Sequence, residues 1–185
     1  MGSNDGYRDV TKEWLKNAKP NSHRVYKRKY YVYDGIKYIV DGKLIVLDHS
    51  ADEIKTAKWI QKTFGGKIYI NPRINYPKGI KTADYLWQNE LWDKKGMKGA
   101  ISVTRSVHNA IKHCKKQANN FIIDISGCIL SDEIIIKQIQ NLFTSNSKFY
   151  IDWLNKIIVV RDDNLIKVII KNRRRPQPHR ARKAF

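Results

Sequence analysis

The chain has 185 residues, 42% of them hydrophobic, which suits one domain with a real core. Lysine and arginine number 36 against 17 acidic residues, and the net charge of +19 points to a polyanion, nucleic acid ahead of an anionic membrane. No apolar run approaches the ~20 residues of a membrane span, and no signal peptide is evident, so a soluble protein acting in the cytoplasm is expected. Cys114 and Cys128 lack a CxxC spacing and read as free thiols, and the five histidines lack an HExxH spacing, which argues against zinc.

In chain order, residues 10–18 predict a short helix stopped by Pro20. Residues 25–48 predict a β-meander, with Asp34-Gly35 and Asp41-Gly42 as turns. Its tyrosines and lysines suit a nucleic-acid strand, or simply an amphipathic sheet. Ser50 and Glu53 make a capping box for a helix that Gly65-Gly66 ends. A strand over 67–70 leads to a basic loop, 71–81, which carries Lys78 and Lys81.

Residues 82–95 predict the hairpin on which the reading turns. Tyr85, Leu86, Trp87, Leu91 and Trp92 carry the strand signal around the polar turn Gln88-Asn89-Glu90. With a two-residue loop, cross-strand partners have numbers that sum to an odd value. Asp84 then faces Asp93 if the loop is 88–89, or Lys95 if it is 89–90. Either way Asp84, Asp93 and Lys95 share one face of the sheet. Two close carboxylates repel unless a proton or a cation sits between them.

Beyond a flexible stretch at 96–100, a helix is expected from 102 or 104 to 117. Val103, Val107, Ala110, Ile111, Cys114 and Ala118 would form its buried face. Beside them runs a polar seam of Ser106, Asn109, His113 and Gln117, candidate substrate contacts with Lys78 and Lys81. Residues 121–125 read as a strand buried on both faces. A helix capped at 131–133 and a hairpin over 153–170 follow. The basic tail, 172–185, has no core-forming pattern and is expected to be disordered.

From residue 50 the order is helix, three strands, helix, strand. That αβββαβ order, in a mixed α+β (α/β) chain, resembles the core of the restriction-endonuclease-like, or PD-(D/E)xK, nucleases. Ala83-Asp84 stands in for Pro-Asp, and Asp93-Lys94-Lys95 matches (D/E)-x-K. The expected organisation is an N-terminal extension with the meander (1–49), a nuclease core (50–171) ending in the β-hairpin, and the tail. Residues 50–171 also resemble the C-terminal tRNase toxin domains of contact-dependent growth inhibition (CdiA) proteins, and related domains of phage minor head proteins. The resembling stretches are Thr82-Ala83-Asp84-Tyr85-Leu86, Trp92-Asp93-Lys94-Lys95, and Lys115 to Asn120 running into Phe121-Ile122-Ile123-Asp124. The resemblance implies a toxic nuclease, often acting on tRNA and often neutralised by an immunity protein, for which this charge predicts an acidic face.

The residues suggest a mechanism of their own. Asp84 and Asp93 would hold a Mg²⁺ ion, and Glu53 would complete its shell through a water. Lys95 would orient or deprotonate the attacking water and stabilise the phosphate's charge. Two alternatives stay open at this point. One is a metal-independent RNase toxin of the barnase/EndoU/colicin/RelE type, with His113 or His108 as base and Lys95 or Arg105 stabilising charge. The other is a basic nucleic-acid-binding module without catalysis. The residues leave RNA against DNA and the oligomeric state open.

Overall fold

The structure, a computed structural model, describes residues 6–172. The expected basic tail therefore lies, apart from Asn172, outside the described residues. In chain order come β1 (Tyr7–Asp9), α1 (Thr11–Asn17), β2 (Val25–Lys27), β3 (Tyr30–Tyr33), β4 (Ile36–Ile39), β5 (Ile45–Val46), α2 (Ala51–Thr63), β6 (Ile68–Ile70), β7 (Arg73–Ile74), β8 (Tyr85–Trp87), β9 (Glu90–Gly96), α3 (Ser106–Ile111), β10 (Asn120–Asp124), α4 (Asp132–Phe143), β11 (Lys156–Arg161) and β12 (Asn164–Lys171).

Eight strands make one mixed sheet in the order β1-β12-β11-β10-β9-β8-β6-β2. β10 runs parallel to both β9 and β11, and β8 runs antiparallel to β6 and β9. The expected αβββαβ succession is present as α2, β6, β8, β9, α3 and β10, with the short β7 inserted. Side-chain alternation divides the core. Phe121 and Ile123 of β10 join α3 and α4 on one face, while Ile122 joins α2 and Trp14 of α1 on the other. Trp87 and Trp92 anchor the second face with ring centroids 5.3 Å apart. Burial of such a side chain contributes up to about 3 kcal/mol. Among the described residues no helix is long and apolar enough to cross a membrane, and both cysteines are free.

Two expectations need correction. Residues 25–48 are not one meander. β3 and β4 do pair around Asp34-Gly35, but β2 joins β6 in the large sheet and β5 pairs with β7. The cause is local. Asp41 Oδ1 accepts the backbone N–H groups of Lys43, Leu44 and Ile45 at 2.8, 2.8 and 2.9 Å. A β4–β5 ladder would need donors that Asp41 has already taken. The expected helix over 102–117 shrinks to α3, and Val103 is 58% exposed rather than buried. Lys112, Lys115 and Lys116 would stack like charges at three- and four-residue spacings if the helix continued. Instead Cys114 and Gln117 close tight turns onto Ile111 O and Cys114 O, each at 2.8 Å.

The capping box forms as expected, with Ser50 Oγ accepting from Glu53 N and Glu53 accepting from Ser50 N. Gly65 then closes α2 at φ +83°, where an added Cβ would lie 1.8 Å from Lys19 O. Its own carbonyl accepts from buried Trp87 Nε1 at 2.9 Å, so the backbone has little room to move. Gly65→Ala is expected to cost at least about 2 kcal/mol, combining left-handed strain with the clash. Urea unfolding would read this as a lower midpoint at unchanged slope.

Candidate active site

β8 and β9 turn at Gln88 and Asn89, both at positive φ (53° and 61°), the geometry of a two-residue type I′ loop. The register pairs Tyr85 with Trp92 and Trp87 with Glu90. Continued by one residue, it sets Asp84 opposite Asp93, the first of the two sequence alternatives. Asp84 Oδ2 accepts from Lys94 N at 2.7 Å. Asp93, 1% exposed, lies below it on the same face. Lys95 Nζ is 2.5 Å from Asp93 Oδ2. Gln117, in the turn after α3, donates to Asp93 Oδ1 at 2.7 Å and to Thr82 O at 2.9 Å. Apart from the Lys95 ion pair, Asp93 Oδ2 has no hydrogen-bond partner among the described residues.

Burial, then the neighbouring charge of Asp93, pushes the Asp84 carboxyl from 3.8 to about 7. Burial also raises Asp93, against the pull of Lys95. For Lys95 burial works downward, but Asp93 outweighs it and the ammonium is held above its ordinary range. Lys95 is thus better suited to stabilise negative charge than to abstract a proton.

Of this cluster Asp84 and Gln117 border a cleft of about 300 Å³, lined also by Glu53, Asn71, Arg73 and Lys81, among others, while Asp93 and Lys95 lie behind them. A second hollow of about 430 Å³ opens past Asp84 and Glu53 towards Asp52, Lys94, Asp124 and Ser126. Glu53 is therefore beside Asp84, as the sequence suggested, but its oxygens are engaged. They accept from Ser50 N at 2.6 Å and from Arg73 Nη2 at 3.0 and 3.2 Å. Burial would raise this carboxyl, yet the Ser50 N–H and Arg73 together hold it low.

The other sequence candidates divide. Lys81 and Gln117 border the cleft. Lys78 is exposed in the loop before it, and Asn109 and His113 are exposed on and after α3. Ser106 Oγ donates to Ser102 O at 2.9 Å. The seam depended on a helix reaching Gln117, and the break after Ile111 scatters it. His108 packs on Phe149, with centroids 5.3 Å apart.

Sequence reading missed Arg73, Lys94, Asp52 and Asp124 as site groups. Lys94 Nζ bridges Asp52 at 2.7 Å and Asp124 at 2.9 Å. The parity argument held the signal. It puts Lys94 on the face away from Asp93, where Asp124 follows Ile122 along the neighbouring β10. Arg73 had no such signal, because its partner Glu53 is twenty positions away in sequence.

Among the described residues no group of three or more His, Cys, Asp and Glu is arranged to hold a metal ion. Asp84 and Asp93 nevertheless suit a shared cation. Ionisation of each is penalised, and the buried Asp93 Oδ2 has spare acceptor capacity.

Residues 81–166 match the family model described as Contact-dependent growth inhibition CdiA C-terminal domain. The matched segment is similar to the CdiA C-terminal domains and spans less than half of the chain. It takes in Asp84, Asp93, Lys95, Gln117 and Asp124, whereas Glu53, Asn71 and Arg73 lie outside the CdiA match. No curated protein matches the chain. Among solved structures, the chain is similar to one described as "CdiA-CT/CdiI toxin and immunity complex from Burkholderia pseudomallei". That likeness has 18% identity and a TM-score of 0.38, over 80% of this chain and 99% of that one.

Proposed function

We propose that the chain is a toxic nuclease that hydrolyses phosphodiester bonds in RNA, transfer RNA first, in the manner of the PD-(D/E)xK enzymes. The observation that carries this reading is the Asp84–Asp93–Lys95 cluster on one hairpin face, whose Asp84 borders a cleft lined also by Arg73 and Lys81. Phosphodiester hydrolysis needs an activated water, a sink for charge on the phosphorane and help for the leaving oxygen. Held by Asp84 and Asp93, a divalent cation such as Mg²⁺ would supply Lewis acidity and a more acidic water. Lys95, kept protonated by Asp93, donates hydrogen bonds to the phosphate oxygens. Gln117 fixes the Asp93 carboxylate by holding Oδ1. Arg73 and Lys81 offer positive charge to flanking phosphates. Glu53 holds Arg73 in the cleft wall and would reach a metal only through a water. The charge of +19 and the match of residues 81–166 to the growth-inhibition family model support an acidic immunity protein as the neutralising partner.

The test is parallel cleavage of total tRNA, ribosomal RNA and plasmid DNA, with Mg²⁺ and with EDTA. Cleavage of one RNA class, abolished by EDTA and restored by Mg²⁺, is the expected result. One observation favours a metal-free route instead. A carboxyl pushed to about 7 at Asp84 is suited to act as general base on a ribose 2′-OH beside the Lys95 ammonium. RNA cleavage that persists in EDTA would select that route, and cleavage of DNA alone would overturn RNA as the substrate.

A further inference from the structure

The β3–β4 hairpin packs only one of its faces. Tyr31, Tyr33 and Tyr38 turn inward onto Ile45, Ile74 and Ile80 in a small core beside the cleft. Tyr31 fastens it there, its hydroxyl accepting from Ala83 N, next to Asp84, at 3.2 Å. The register pairs Tyr30 with Ile39 and Val32 with Lys37, so these four share the outer face. Ile39 is 62% exposed and Val32 46%. The Arg28 guanidinium and the Lys37 ammonium each lie 4.4 Å from the centre of the Tyr30 ring. Arg28 also donates to Asn71 Oδ1 at 3.3 Å, and Asn71 borders the cleft. Lys37, Tyr30, Arg28 and Asn71 thus form an unbroken line from the outer face to the site.

The charge along that line has one sign. Residues 24–33 contain Arg24, Lys27, Arg28 and Lys29 and no acid, and the hairpin's one acid, Asp34, sits in its turn. The nearby Asp41 turns its Oδ1 onto three backbone N–H groups. Apolar side chains left in water beside an aromatic ring and cations form the kind of surface that holds unpaired nucleic acid. Cations take phosphates, while rings and flat apolar groups take bases. An acidic protein would meet the cations equally well, but it would not need the line to end in the cleft.

We infer that the outer face of the β3–β4 hairpin holds an unpaired stretch of the RNA substrate and leads it into the cleft. Phosphates lie on Arg28 and Lys37, and bases lie against Tyr30, Val32 and Ile39. The inference rests on the ribonuclease reading and adds the residues that select the substrate's form.

The test measures binding apart from cleavage. The full chain carrying Asp93→Asn/Lys95→Met, which removes both charges of the buried pair and keeps its shape, is titrated into a labelled unpaired oligoribonucleotide, and into the same sequence as a duplex, across a salt series. Lys37→Glu is expected to weaken unpaired RNA at least about 10-fold and to lower the salt slope by about 1, and Ile39→Ser to weaken it several-fold. Both side chains are exposed, so the fold is not at stake, and circular dichroism checks this. Lys137→Glu on α4, with the same change in charge, is expected to cost less than about 2-fold. Equal losses at Lys37 and Lys137 would overturn the inference, since general charge would then suffice. So would tighter binding of the duplex. Undiminished RNA binding by Lys37→Glu, joined to lost capture of an acidic immunity protein, would assign the face to that protein. If the wild-type chain cuts no RNA, the proposed function fails, while these binding ratios still decide the hairpin's role.

Discussion

Asp93→Ala is expected to lower nucleic-acid cleavage by about 10³-fold or more, and Lys95→Ala by about 10²- to 10³-fold, at saturating substrate. On the proposed chemistry Asp93 would support catalysis in three ways. It is one of the two carboxylates facing each other across the hairpin, it keeps Lys95 protonated, and it is oriented by Gln117. Alanine removes all three at once. It also strands an ammonium in a half-buried place, which costs about 3–5 kcal/mol when a buried pair loses one member. Loss of activity alone could then reflect unfolding. The double variant Asp93→Asn/Lys95→Met separates the two causes, because it removes both charges and keeps the shape. It is expected to fold and to be inactive. A single-turnover assay at matched circular dichroism decides it, and near wild-type turnover would remove the cluster from the chemistry. Gln117→Ala, which loosens Asp93 without discharging it, should cost only about 10-fold.

Asp84→Asn is expected to stabilise the fold in alkaline buffer and to change little in acid. The sign follows from linkage. The unfolded carboxyl releases its proton near 3.8, whereas the folded one holds it until about 7. The proton's contribution to stability is therefore complete below 3.8 and lost as pH rises through about 7. Over that window the wild type gives up as much as about 4 kcal/mol relative to a neutral side chain. Asparagine can still accept from Lys94 N. Thermal melts of the two proteins should coincide near pH 4 and diverge steadily to pH 8, with the variant melting higher. A divalent cation at pH 8 should raise the melting temperature of the wild type and not of the variant. Parallel melts at every pH would mean that Asp84 is free of the burial and charge described here. Asp84→Asn would thus gain stability while losing the carboxylate that the chemistry is proposed to use.

What the sequence revealed and what it hid follow from the range of the interactions. The facing of Asp84 and Asp93 was legible because it depends only on loop length and on strand alternation within 14 residues. The capping box at Ser50 and Glu53 was legible for the same reason. The second polar group, Lys94 with Asp52 and Asp124, joins three elements far apart in the chain. Only strand order brings it together. Gln117 was singled out from a helical seam that the structure does not contain. Helical spacing placed it beside His113, whereas the helix ends at Ile111 and a tight turn delivers Gln117 to Asp93. The failed meander shows the same limit. Asp41-Gly42 carries a strong turn signal, but whether a turn closes a hairpin depends on what else binds its donors. Glu53 shows that one side chain can serve two neighbours. The helix cap it forms was readable, and the arginine it also holds was not.

The cleft is assembled from two lengths of chain, one before residue 81 and one after it. The segment that matches the growth-inhibition family model, 81–166, brings the acid-bearing hairpin and the turn that orients it. Glu53, Asn71 and Arg73, which also line it, and Tyr31 fastened against Ala83, all precede residue 81. On the proposed chemistry, a crossover in the loop near residue 80 would exchange the Glu53–Asn71–Arg73 lining and leave the Asp84–Asp93–Lys95 cluster unchanged. Diversification of targets would then need no reinvention of chemistry, only a new leading half that still offers a hydroxyl to Ala83 and a cation to the cleft.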